Sequence, residues 1–108
     1  MKKLEGNVTI ITGGGKGIGY GLAEAFAEAG SNLVITGRTE SRLVSAKERL
    51  EAQYGVKVLP IVADGADEEA IKNVVARTIA EFGKINTLVN NAQVSKSGLP
   101  LVEHSRED

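Results

Sequence analysis

Short apolar runs alternate with longer stretches in which apolar residues recur at helical spacing. Val8-Thr9-Ile10-Ile11 is a β-branched run that stops at a cluster of glycines. It reads as a strand buried on both faces, as strands of a parallel sheet are. Ile18, Leu22, Ala25, Phe26 and Ala29 follow at helical spacing, with Gly30 as a plausible stop. Leu33-Val34-Ile35 is a second strand. Leu43, Ala46, Leu50 and Tyr54 mark one face of a second helix that Gly55 ends. Val58 to Val62 is a third strand, and Pro60 within it points to a sheet edge because proline brings no N–H to the ladder. Asp67 is placed to cap a third helix, with Glu68 and Glu69 in its first turn. Ile71, Val74, Val75, Thr78, Ile79 and Phe82 give that helix the clearest amphipathic stripe, and Gly83 ends it. Leu88 and Val89 centre a fourth strand that runs to Asn90 and Asn91. The stretch 93–105 reads as a loop, and Ser105, Glu107 and Asp108 resemble the cap and first turn of another helix.

This order, β-α-β-α-β-α-β, predicts one α/β domain over 1–108: a doubly wound parallel sheet with right-handed crossovers, truncated after its fourth strand. Such a sheet leaves Leu88 and Val89 on an open edge and part of Ile71, Val75 and Ile79 uncovered. The expectation is self-association, or dependence on a missing C-terminal half, unless 93–105 folds back over the edge.

Charge narrows the partners. Thirteen basic and fourteen acidic side chains give a net charge of -1. That balance offers no electrostatic case for nucleic acid or an anionic membrane. There is no cysteine, and His104 is the one histidine, so the sequence suggests no metal cluster. No apolar run approaches the roughly 20 residues of a membrane helix or the roughly 7–15 of a secretory leader. A cytoplasmic location is the expectation.

Glycine changes the picture most. Six of the thirteen glycines (Gly13, Gly14, Gly15, Gly17, Gly19 and Gly21) fall within nine residues, where the first strand gives way to the first helix. A helix N-terminus carries unpaired N–H groups and about half a positive charge. Glycines there let a pyrophosphate approach the backbone with no Cβ in the way. The loop does not match G-x-G-x-x-G, because Ile18 stands where the third glycine belongs, and Lys16-Gly17 does not fit a P-loop. It fits G-x-x-x-G-x-G through Gly13, Gly17 and Gly19. A flexible turn with no ligand is the competing reading, and the strand before and helix after weigh against it.

Thr12-Gly13, followed by Gly17-Ile18-Gly19, resembles the cofactor fingerprint of the short-chain dehydrogenase/reductase family. Asn90-Asn91-Ala92 is similar to the start of that family's Asn-Asn-Ala-Gly motif, and Asp64 to its adenine-contacting aspartate. The resemblance implies a Rossmann-type fold and hydride transfer between a nicotinamide cofactor and a carbonyl or alcohol. It implies cofactor contacts at Gly13, Gly15, Lys16, Gly17, Ile18, Gly19, Arg38, Thr39, Asp64, Gly65, Asn90 and Ala92. One departure is Gln93, where the family has glycine. Its side chain either crowds the nicotinamide end or points into solvent.

The end of the second strand bears on which dinucleotide fits. A free ribose 2′-OH is usually held by a carboxylate about 20 residues beyond the glycines. The strand here ends Thr36-Gly37-Arg38-Thr39, with Glu40 beyond. Arg38 offers a bidentate fork for a 2′-phosphate, Thr39 a hydroxyl, and Lys16 a second positive charge. NADP(H) is therefore the expected cofactor, with NAD(H) the alternative. The catalytic Tyr-x-x-x-Lys pair of the family is absent: Glu24 lies four residues after Tyr20 and Val58 four after Tyr54. No catalytic residue is assigned, and His104 is a lone histidine. Two functions remain: the cofactor half of an NADP(H)-dependent oxidoreductase, inactive alone, and a non-catalytic dinucleotide-binding or assembly module.

Overall fold

The computed structural model describes residues 2–15, 17–63, 68–94 and 100–104, with the backbone course alone for 92–94 and 100–104. In chain order the elements are β1 (Val8–Thr12), α1 (Gly17–Glu28), β2 (Asn32–Gly37), α2 (Glu40–Tyr54), β3 (Val58–Val62), α3 (Glu68–Phe82), β4 (Thr87–Val94) and β5 (Pro100–His104). The strands form one sheet in the order β3-β2-β1-β4-β5. β1 lies between β2 and β4 and is parallel to both, with Ile10 opposite Val34 on one side and Leu88 on the other.

Strand alternation sends successive side chains to opposite faces. Ile11, Leu33 and Ile35 pack with Ala23, Ala27, Leu43, Ala46 and Leu50, so α1 and α2 cover one face. Val8, Ile10, Val34 and Ile61 pack with Val74, so α3 covers the other. The doubly wound α/β architecture is the predicted one, and Pro60 does lie on an edge strand. Leu43, Ala46 and Leu50 form the buried face of α2 as read from their spacing, and Gly55 closes that helix with its N–H on the Glu51 carbonyl.

Two sequence expectations need correction. The face of α1 that meets the sheet is Gly19, Ala23 and Ala27, whereas Ile18 is 65 % exposed and Ala25 is exposed. Small residues at i, i+4 and i+8 bring the helix axis close to β1. The larger Leu22 and Phe26 flank that seam and are half-buried.

The second correction concerns 93–105. Gln93 and Val94 extend β4, and Pro100–His104 forms β5, antiparallel to β4, with Val89 opposite Val102 and Thr87 opposite His104. An unpaired strand edge is a template for any extended segment within reach, and the chain fills it with its own. The edge at Leu88 and Val89 is thus covered, with an irregularity in register between Asn90 and Val94. The exposure foreseen on α3 is present: Val75 and Ile79 are 36 % and 46 % exposed. Among the described residues no helix is long and apolar enough to cross a membrane. The caps read at Asp67 and Ser105 lie outside the described residues.

Candidate cofactor site

The strands β1, β2 and β4 run parallel, so their C-terminal ends share one rim of the sheet. There the crossovers leave β1 in opposite directions, towards β2 on one side and β4 on the other, which opens a crevice where ligands of such sheets bind. Gly13, Gly14 and Gly15 occupy this point, between β1 and α1.

Each loop glycine has its own reason. Gly13 (φ +71°) and Gly17 (φ +61°) adopt the left-handed backbone that other residues avoid. A Cβ on Gly14 would come within 2.8 Å of the Ile35 Cγ2. Its N–H donates to the Thr36 carbonyl at 3.1 Å, tying the loop to β2. A Cβ on Gly19 would land on the Gly13 carbonyl, 2.7 Å from its carbon, and 2.8 Å from the Asn91 Nδ2. The first turn of α1 is therefore pressed against the loop with no room for a side chain. A loop that is only a flexible turn has no need of these constraints. A cradle so shaped, below a helix N-terminus, fits a pyrophosphate.

The opposite wall comes from β4. Thr12 and Asn90 are direct neighbours in the β1–β4 register. The Thr12 hydroxyl donates to the Asn90 Oδ1 at 3.1 Å or to the Val89 carbonyl at 3.4 Å. Asn91 points the other way, and its Nδ2 donates to the Gly13 carbonyl at 3.5 Å. Asn90 was expected to touch cofactor, yet its side chain is engaged with Thr12. Asn91 was absent from the expected contacts and is the residue that braces the loop. The signal available in the sequence was the β1–β4 register combined with strand alternation.

The remaining expected residues divide. Ile18 stands exposed at the start of α1, beside the cradle. Arg38 and Thr39 are exposed between β2 and α2, and Thr39 caps α2 without a side-chain hydrogen bond. Ala92 lies on the backbone course of β4. Lys16, Asp64 and Gly65 lie outside the described residues, as does the side chain of Gln93. An open cleft of about 400 Å³ adjoins the loop, lined by Gly15, Ser41, Arg42, Ser45, Ala46 and Arg49.

Neither tyrosine supplies a proton donor to this rim. Both pack against the α1–α2 side of the core. Arg49 lies 4.8 Å above the Tyr20 ring, and the Tyr54 hydroxyl donates to Glu24 at 3.3 Å. Burial, and then the Glu24 charge and hydrogen bond, raise the Tyr54 pKa above its ordinary value.

Residues 7–108 match the family model for short chain dehydrogenase. The chain belongs to that family. It is similar to a 12alpha-hydroxysteroid dehydrogenase from Clostridium sp., 51 % identical over 99 % of this chain and 44 % of that relative. Among solved structures it resembles L-sorbose reductase from Gluconobacter frateurii, complexed with NADPH and L-sorbose. The TM-score there is 0.82 at 37 % identity, covering 89 % of this chain and 37 % of that one. It also resembles NAD+-bound xylitol dehydrogenase, with a TM-score of 0.75 at 32 % identity over 81 % of this chain and 33 % of that one. The chain thus spans less than half the length of these relatives. As one of these neighbours carries NADPH and another NAD+, membership of the family leaves the choice of dinucleotide to local residues.

Proposed function

We propose that this chain is the cofactor-binding half of an NADP(H)-dependent oxidoreductase that moves a hydride between nicotinamide and a carbonyl or alcohol. The observation that carries the cofactor choice is the end of β2. Arg38 is exposed there, and no carboxylate occupies the strand end. A guanidinium at that place attracts a 2′-phosphate and offers nothing to a free 2′-OH that a carboxylate would not do better. The NADPH in the L-sorbose reductase structure is in keeping with this reading.

When bound, the dinucleotide supplies the hydride chemistry. The chain's residues do the holding: the loop of Gly13, Gly14 and Gly15 with Gly17 and Gly19 cradles the pyrophosphate, Asn91 braces the loop, Thr12 ties β1 to β4 beneath it, and Ile18 presents an apolar surface beside it. Lys16, Thr39, Asp64, Gly65, Asn90 and Ala92 complete the proposed contacts, a set that the family resemblance implies. Without a Tyr-x-x-x-Lys pair the 108 residues have no proton donor of the family's kind, so they bind cofactor and turn over no carbonyl substrate alone.

Calorimetric titration with NADPH and NADH tests the cofactor choice. The expected result is tighter NADPH binding that Arg38→Ala abolishes. Equal affinities, indifferent to the substitution, refute it. A panel of carbonyl substrates with NADPH tests the second claim, and turnover by pure chain refutes it.

A further inference from the structure

NADP(H) differs from NAD(H) by one phosphate, a group with up to two negative charges and three acceptor oxygens. Such a dianion is held best by more than one charge-assisted donor. Arg38 supplies one, and the fold shows where another stands.

Arg42 is on α2, one turn beyond Arg38, and packs directly against the glycine loop. A Cβ on Gly15 would lie 3.7 Å from the Arg42 Cβ. Arg42 therefore lines, together with Gly15, Ser41 and Ser45, the cleft beside the loop. Lys47 pairs with Glu51 and Lys72 with Glu69, and Arg49 is laid over the Tyr20 ring. Arg42 makes no ion pair among the described residues. An exposed guanidinium beside a loop shaped for phosphate, flanked by two serine hydroxyls, is well placed to receive an anion.

We infer that Arg42 is a further specificity-determining residue for the phosphorylated cofactor, acting with Arg38 on the 2′-phosphate from the α2 side of the glycine loop. This rests on the NADP(H) reading above. Arg42 has no part in the pyrophosphate cradle, so its removal costs the 2′-phosphate alone.

The test uses 2′,5′-ADP and 5′-AMP, which differ by that phosphate, titrated calorimetrically into the protein carrying this chain and into its Arg42→Ala, Arg42→Lys and Arg38→Ala variants. One charge-assisted hydrogen bond lost corresponds to about ten- to hundredfold in affinity. Arg42→Ala is expected to weaken 2′,5′-ADP by about that factor and to leave 5′-AMP unchanged. Arg42→Lys restores part of the loss, because it returns the charge without the fork. If the unaltered protein binds 2′,5′-ADP no tighter than 5′-AMP, the NADP(H) reading falls and this inference with it. If selectivity is present and Arg38→Ala removes it while Arg42→Ala does not, this inference alone falls. A loss shared equally by both ligands after Arg42→Ala also overturns it, since that would mark a change in cleft shape. Should Arg42→Ala lower the melting temperature, Arg42→Gln keeps the stem and reads the same contrast.

Discussion

Replacing Gly19 by alanine sets two opposed effects against each other, and the structure decides between them. Gly19 and Gly21 both lie in α1. In an exposed helix interior, glycine to alanine gains about 1 kcal/mol from helix propensity. At Gly21 nothing stands within 4 Å of an added Cβ, so Gly21→Ala should approach that gain. At Gly19 the Cβ would land on the Gly13 carbonyl, 2.7 Å from its carbon, where ordinary carbon contacts are about 3.5–4.0 Å. The first turn of α1 and the loop must therefore separate by roughly 1 Å to restore such a contact. Neither side yields easily. The Gly13 carbonyl accepts from Asn91, and the Gly14 N–H is fixed to Thr36. Overpacking costs about 1–3 kcal/mol, and backbone against backbone belongs at the upper end. The net expectation for Gly19→Ala is about 2 kcal/mol of destabilisation after the propensity gain is set against it. Urea midpoints of the two variants beside the unaltered chain, with unchanged slopes, measure this directly. Dinucleotide titration should show a loss for Gly19→Ala and little for Gly21→Ala. A Gly19→Ala chain as stable as Gly21→Ala would refute the close approach of helix and loop.

Other expectations follow from single contacts. Asn91→Ala removes the 3.5 Å brace on the Gly13 carbonyl. It should cost about 0.5–1.5 kcal/mol of stability by denaturant titration and weaken NADPH and NADH alike by calorimetry, unlike the changes at Arg38 or Arg42. Burial pushes the Glu51 carboxyl up, but the Lys47 hydrogen bond, the Val58 N–H and the Lys47 and Lys57 charges outweigh it and hold the pKa below its ordinary value. The carboxylate therefore stabilises the fold above its unfolded-state pKa, and that share is lost as pH falls through the folded value. Urea midpoints across the acid range should fall less steeply for Glu51→Gln than for the unaltered chain, and parallel curves would count against the assignment. Val102→Pro puts a residue without an N–H into β5 and should loosen its pairing with β4. Sedimentation at rising concentration should then show more self-association than the unaltered chain, whose exposed Val75 and Ile79 remain the next candidate surface.

Where the sequence misled, small residues and distant pairing were the cause. Leu43, Ala46 and Leu50 announced the buried face of α2 because large apolar side chains both carry the pattern and make the contact. On α1 the two separate: Ile18 and Ala25 carry the pattern, whereas Gly19, Ala23 and Ala27, which carry little of it, meet the sheet. Pro60 placed β3 at an edge because a missing N–H is a local property. β5 was not legible, because Pro100–His104 is short and gains its strand character from pairing with β4. In the candidate site, the glycine spacing and Asn90-Asn91-Ala92 pointed to segments that the fold brings together at one rim of the sheet. Which asparagine braces the loop depended on the register of β4 against β1, a relation between residues far apart in the chain.

That separation also bears on how the site comes into being. Asn91 and Gly13 are 78 residues apart, as are Asn90 and Thr12. β1 sits mid-sheet, yet one of its two neighbours, β4, follows it only after two other strands and three helices. Loop-closure entropy must be overcome before so distant a pairing is rewarded, and sheets of this kind fold slowly for that reason. β1, β2 and the helix between them can associate through nearer contacts while the glycine loop still lacks its brace. During synthesis the loop emerges long before Asn91 does, and it takes its final shape only when β4 docks. Nucleotide binding would then report on completed β1–β4 pairing, and a cofactor present during refolding would act on that step rather than on the nearer pairing of β1 with β2.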